Sequence, residues 1–119
     1  MEPIGVDHVA INVIDVPASI DFYTSVLGLA VRHDRPEFGF AGAWLDAGGQ
    51  QVHLVEAAMP PSLGQHFSLL VANLDAVIDE LREGGVAVTD PFAVGRDRQA
   101  FLADPSGNTI ELHERGAQG

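Results

Sequence analysis

The chain repeats itself at a spacing of 58 residues, and this constrains what it can fold into more than any other feature of its 119 residues. Asp7-His8-Val9-Ala10-Ile11-Asn12-Val13 is matched 58 positions later by Gln65-His66-Phe67-Ser68-Leu69-Leu70-Val71. The register holds through Val16-Pro17-Ala18-Ser19-Ile20-Asp21 and Leu74-Asp75-Ala76-Val77-Ile78-Asp79. It holds again where Gly49-Gln50-Gln51-Val52-His53-Leu54-Val55-Glu56 meets Gly107-Asn108-Thr109-Ile110-Glu111-Leu112-His113-Glu114. His8 therefore corresponds to His66, and His53 to Glu111.

Each half reads as strand, helix, then three strands. Residues 7–13 and 66–71 are β-rich runs, each followed by a helical pattern with a polar start and a glycine stop. In the first helix Asp15 caps, Pro17 suits the first turn, Ile20, Tyr23 and Leu27 share a face, and Gly28 ends it. Tyr23 is read as core. In the second helix Asn73 or Asp75 caps, Val77, Ile78 and Leu81 face inward, and Gly84-Gly85 terminates. The other strands are expected near 29–33, 40–46 and 50–56, then 86–89, 98–103 and 108–114. Gly48-Gly49 and Asp104-Pro105-Ser106-Gly107-Asn108 make the last two strands of each half a hairpin. Met59-Pro60-Pro61-Ser62-Leu63-Gly64 is the natural linker between modules at 1–58 and 65–115. The end, Gly116-Ala117-Gln118-Gly119, reads as frayed.

With 46% hydrophobic residues the chain can bury a real core, as one domain or two small packed modules. Seventeen acidic residues against six basic ones give a formal charge of −11, which repels polyphosphates and anionic lipid surfaces. Nucleic acids and membranes are thus not expected as partners. No apolar run approaches the roughly 20 residues that span a bilayer, and Met1-Glu2-Pro3 does not open a signal segment, so a cytoplasmic location is expected. Cysteine is absent. That leaves histidine and carboxylates as the metal-binding chemistry.

Side chains alternate across a strand, which sorts the repeat into faces. Val9, Ile11 and Val13 oppose His8, Ala10 and Asn12; Phe67, Leu69 and Val71 oppose His66, Ser68 and Leu70. Val52 and Leu54 oppose Gln51, His53 and Val55, and Ile110 and Leu112 oppose Thr109, Glu111 and His113. His8, His53, His66 and Glu111 all fall on the polar face, so a sheet covered by helices on one side would carry a chemical floor on the other. Three imidazoles and one carboxylate can hold one divalent ion, Zn, Ni, Fe, Co or Mn, without selecting among them. A lone histidine at a strand start is commonly a polar edge residue, and Glu111 alone reads equally as a solvent-facing carboxylate; four such residues at two pairs of equivalent positions favour a site. His33 reads as surface. His113 reads either as a neighbour of the site or as plain surface, and Arg96 and Arg98 either as substrate anchors or as solvated hairpin charges.

With these residues in hand, the sequence resembles the vicinal oxygen chelate superfamily of glyoxalases, bleomycin-resistance proteins and extradiol dioxygenases. The resemblance runs over nearly the whole chain. It rests on Asp7-His8-Val9-Ala10-Ile11, on Ser19-Ile20-Asp21-Phe22-Tyr23 through Val26-Leu27-Gly28-Leu29, and on Asp104-Pro105-Ser106-Gly107-Asn108-Thr109-Ile110-Glu111-Leu112. The stretch from Arg35-Pro36 through Phe40-Ala41-Gly42-Ala43-Trp44-Leu45 to Val52-His53-Leu54 is similar to the glyoxalase-like branch.

The resemblance implies an α+β fold of two tandem βαβββ modules forming a curved, cup-shaped mixed sheet with helices on its outer face. It implies a metal on His8, His53, His66 and Glu111, with Glu111 doubling as the catalytic base, and a homodimer. The implied activity is that of a metal-dependent lyase or isomerase acting on a small substrate with vicinal oxygens through an enediolate-type intermediate. Glyoxalase I enzymes carry a carboxylate where His53 stands, which tells against a glutathione-dependent reaction. An extradiol-type ring-cleaving dioxygenase would use His8, His66 and Glu111. A non-catalytic ligand-sequestering protein of the bleomycin-resistance type would have no use for a metal floor.

Overall fold

A computed structural model describes residues 1–116. The chain divides into two compact units, Met1–Pro61 and a second beginning at Ser62. Residues 117–119, within the tail expected to fray, lie outside the described residues.

The first unit contains β1 (His8–Val13), α1 (Val16–Asp21), β2 (Ala30–Val31), β3 (Gly42–Ala47) and β4 (Gln50–Glu56). Its sheet runs in the order β1-β4-β3-β2, with β1 parallel to β4 and the other pairs antiparallel. The parallel pair requires a crossover, which α1 supplies by packing on β3 and β4. Asp15 caps α1 by accepting a hydrogen bond from the Ala18 N–H at 3.0 Å.

Past Asp21 the helix widens into a π-helical turn, Phe22–Val26, where the Leu27 N–H reaches back to the Phe22 carbonyl at 3.1 Å. The Thr24 hydroxyl donates to the Ile20 carbonyl at 2.8 Å, occupying an acceptor of the ordinary ladder. Tyr23 sits fully buried on this turn, as the sequence implies.

The second unit repeats the plan with β5 (Phe67–Leu70), α2 (Leu74–Glu83), β6 (Phe92–Val94), β7 (Asp97–Ala103) and β8 (Thr109–Glu114). Its order is β5-β8-β7-β6, again with one parallel pair, β5 with β8. Asn73 is the cap of α2, accepting from the Ala76 N–H at 3.1 Å. Leu74, Ile78 and Leu81 bury one stripe of α2, and the helix packs on β8.

Alternation on the strands came out as expected. Val52 and Leu54 on β4 are buried, as are Ile110 and Leu112 on β8 and Leu45 and Leu102 on their antiparallel neighbours. Each such side chain contributes about 1.5–3 kcal/mol of burial. These apolar faces lie under the helices, leaving His8, His53, His66 and Glu111 on the opposite faces. The architecture is α+β, two tandem modules of one strand, one helix and three strands.

One strand lies elsewhere than the sequence suggested. Residues 86–89 form no ladder: the Val86 N–H closes the end of α2 on the Leu81 carbonyl at 2.9 Å. The sixth strand is Phe92–Val94, joined to β7 by the two-residue turn Gly95-Arg96, where Gly95 takes φ 60°. Among the described residues no helix is long and apolar enough to cross a membrane.

Candidate functional site

In the first unit the parallel register sets Ala10 opposite His53, so His8, two residues earlier, rises on the same face. The antiparallel register sets Trp44 opposite His53. The three rings stack: His8 on His53 with centroids 3.9 Å apart, His53 on Trp44 at 4.5 Å. Phe38 continues the row beside Trp44 at 6.2 Å, with Phe40 stacked on it at 5.4 Å. The Arg35 guanidinium lies 5.0 Å from the centre of the Phe38 ring.

Each imidazole in this row has one nitrogen engaged. His8 Nδ1–H donates to Asp7 Oδ2 at 2.8 Å, and His53 Nε2–H donates to Gln51 Oε1 at 2.8 Å. The tautomers follow from these acceptors and leave His8 Nε2 and His53 Nδ1 as lone-pair donors. Burial, reinforced by the charge His8 can carry, holds the His53 pKa below the ordinary histidine value.

The second unit is built from hydrogen bonds where the first is built from stacked rings. His66 Nδ1–H donates to the Gly64 carbonyl at 2.9 Å, aiming Nε2 at Glu111 Oε1, 3.2 Å away. The other carboxylate oxygen, Oε2, accepts from the Ser68 hydroxyl at 2.8 Å and from His113 Nδ1–H at 2.9 Å. His113 Nε2–H donates in turn to Asp97 Oδ2 at 2.7 Å, and Asp97 Oδ1 accepts from the Gly116 N–H at 2.9 Å. Phe101, opposite Glu111 in the ladder, meets the His66 ring edge-on at 5.4 Å.

These contacts set the charges. Burial pushes the Glu111 carboxyl up, but the bonds from Ser68, His113 and His66 together outweigh it and hold its pKa below the usual glutamate value. His66 is raised chiefly by the Gly64 carbonyl, with Glu111 adding to it. His113 is raised by Asp97 first and Glu111 second, and Asp97 is lowered by the Gly116 N–H and then by His113.

The structure thus brings the expected residues together as two pairs, His8 with His53 and His66 with Glu111. Among the described residues no group of three or more histidine, aspartate or glutamate side chains stands ready to hold a metal ion. The donor chemistry of the second pair nevertheless fits a divalent cation. A ligating imidazole ordinarily donates its other N–H to a carbonyl, as His66 does to Gly64, and a ligating carboxylate is ordinarily bonded from outside, as Glu111 is by Ser68 and His113. His66 Nε2 and Glu111 Oε1 face each other at 3.2 Å, and these two atoms would be the ones offered to a cation.

His113 contacts Glu111 directly, and His33 is exposed. Arg98 does not line the polar face: its guanidinium grips Asp75 of α2 through two bonds, 2.9 and 3.0 Å, on the helix side. Ser68 and Gln51 carried a sequence signal, their parity with the site histidines. Asp97 carried none.

A family model described as the Glyoxalase/Bleomycin resistance protein/Dioxygenase superfamily matches residues 5–112. The lactoylglutathione lyase of Escherichia coli O157:H7 is 30% identical over 90% of this chain and 90% of its own length. A lactoylglutathione lyase of Arabidopsis thaliana is 29% identical, but this chain spans only 44% of it. Among solved structures, TnmS3, an antibiotic binding protein from Streptomyces sp. CB03234, aligns with a TM-score of 0.84 at 28% identity, covering 98% of this chain and 99% of that one. A glyoxalase family protein from Enterococcus faecalis aligns with a TM-score of 0.78 at 26% identity, over 93% of this chain and 98% of its own. The chain belongs to the glyoxalase, bleomycin resistance protein and dioxygenase superfamily.

Proposed function

We propose that this chain is a metal-dependent lyase or isomerase of glyoxalase type, acting on a small substrate with vicinal oxygens. Its metal ligands are His8, His53, His66 and Glu111, two from each unit, and Glu111 also serves as the base. The observation that carries the reading is the state of Glu111: ionised, 12% exposed at its side chain, bonded from outside through Oε2, with Oε1 turned to His66.

A divalent cation held there would polarise a chelated carbonyl and acidify the neighbouring C–H bond. Glu111, loosening from the cation, would take that proton, and Ser68 and His113 would keep hold of the carboxylate while it does so. The first unit carries a row of stacked rings, His8, His53 and Trp44, within its own sheet. A homodimer in the cytoplasm belongs to the same reading.

The experiment is proton exchange. A hemithioacetal or 2-hydroxy ketone is incubated in deuterated water with metal-loaded wild-type protein and with Glu111→Gln at metal saturation. Deuterium enters the carbon beside the carbonyl with the wild type and not with the variant. Equal exchange in both proteins removes Glu111 as the base.

The second reading is a ligand-binding protein without chemistry. It is favoured by the row of rings Trp44, Phe38 and Phe40 with Arg35 over it, and by the likeness to an antibiotic binding protein. Tight binding of planar aromatic compounds that is indifferent to chelators, with no exchange on any carbonyl substrate, would select it.

A further inference from the structure

The duplication supplies an internal control for the hydrogen bonds around Glu111. Fifty-eight positions before Ser68 stands Ala10, and 58 before His113 stands Val55. The hairpin between β7 and β8 is one residue longer than that between β3 and β4, so Trp44 and Phe101 are equivalent at an offset of 57, and Asp97 then falls opposite Phe40. The first unit builds the same four-stranded sheet with alanine and valine at the first two of these positions and with Phe40, ahead of β3, at the third. The fold does not require the polar set.

We propose that Asp97 and His113 are positioning residues for Glu111: a relay from the Gly116 N–H through Asp97 and His113 fixes Oε2, so that Oε1 faces His66. The inference rests on the reading of Glu111 as ligand and base, and deepens it. Ser68 alone would leave the carboxylate free to swivel about one bond, whereas a second donor from β8 itself fixes its plane. His113 would be a loose second donor, two residues along the same strand, were its far nitrogen not tied to Asp97 at 2.7 Å. Asp97 is tied in its turn, because Gly116 packs so closely on the Arg96 backbone that a Cβ at this position would collide with the Arg96 carbonyl. The relay thus begins at a backbone contact that only glycine permits and ends at the carboxylate.

The test uses untagged full-length protein, His113→Phe, Asp97→Asn, the double variant and Glu111→Gln. Zn²⁺ affinity is measured by competition with a chromophoric chelator, and the imidazole nitrogen resonances of His66 are recorded without metal. His113→Phe should lower Zn²⁺ affinity about 10–100-fold. Asp97→Asn should lower it less, and should add nothing in the double variant, since Asp97 acts through His113. In the metal-free protein both variants should shift His66 Nε2, which reports the position of Oε1. His113→Gln, which keeps a donor near Glu111, should recover part of the affinity. If His113→Phe and Asp97→Asn leave both the affinity and the His66 resonances at wild-type values, or only lower the melting temperature, the inference is overturned. If Glu111→Gln binds Zn²⁺ as tightly as wild type, the metal reading fails instead, and the His66 resonances alone decide whether the relay positions the carboxylate.

Discussion

His8 and His53 stack face to face with their ring planes 13° from parallel, so the in-plane lone pairs of the two imidazoles run side by side instead of converging. For both to reach one cation, one ring has to turn. His53 is held on its other face by Trp44 and at Nε2 by Gln51, whereas His8 stands at the start of β1 with 42% of its side chain exposed. His8, held at Nδ1 by the exposed Asp7, is the less restrained ring.

The expected hierarchy of ligands follows from this. His66→Ala and His8→Ala should each cost the protein most of its divalent metal affinity, and His53→Ala should cost the least. Calorimetric titration with Zn²⁺ checks the order. A His53→Ala protein that binds no metal beside a His8→Ala protein that binds normally would reverse it.

Acid should weaken metal binding, because protonated imidazole cannot ligate. Without metal, the histidines should separate: His53 titrating below 6.5, His66 and His113 above it. The signs for stability are opposite. His53, lowered in the folded state, gives stability that is present above pH 6.5 and is lost as pH falls through its folded midpoint. His66 and His113, raised, give stability that is full below pH 6.5 and is lost as pH climbs through their folded midpoints. Denaturation of His113→Gln against wild type should show its widest gap on the acid side of that value, closing as pH rises. A gap that widens with alkali would contradict the assignment.

Gly42→Ala should destabilise the first unit by about 1–3 kcal/mol, the range for forced overpacking. A Cβ there meets the Leu54 carbonyl of β4 and comes within 2.9 Å of the Arg35 guanidinium. Gly49→Ala, whose Cβ would meet nothing within 4 Å, should stay within about 0.5 kcal/mol of wild type. Urea titration of both variants measures the difference, and equal midpoints would show that β3 and β4 can part without cost.

In solution the protein should be a homodimer. Light scattering at micromolar concentration should return about twice 12.6 kDa, and a value near 12.6 kDa would remove the dimer.

The two pairs were legible because the repeat and the strand period are both arithmetic. His8 and His66, His53 and Glu111 are fixed by the spacing, and parity places them opposite Val52, Leu54, Ile110 and Leu112, whose burial the structure bears out. Tyr23 was legible from helical spacing instead, on the face it shares with Ile20 and Leu27. The sixth strand was not, because Val86 and Val88 look β-prone while the backbone of Val86 is spent on ending α2. The turn at Gly95-Arg96 was the missed signal. Asp97 was illegible for a different reason: its partner His113 lies across a ladder whose register shifts by one residue in the longer hairpin, and spacing alone does not announce that shift.

Trp44 is the chain's one tryptophan, and it lies 4.5 Å from His53 in nearly parallel stacking. All indole emission from this protein therefore originates against a single imidazole of the candidate site. Protonation of that ring, its withdrawal toward a cation, or a flat molecule displacing Phe38 would each change what the excited indole touches. The first half of the molecule carries its own optical gauge, one that needs no label and no known substrate.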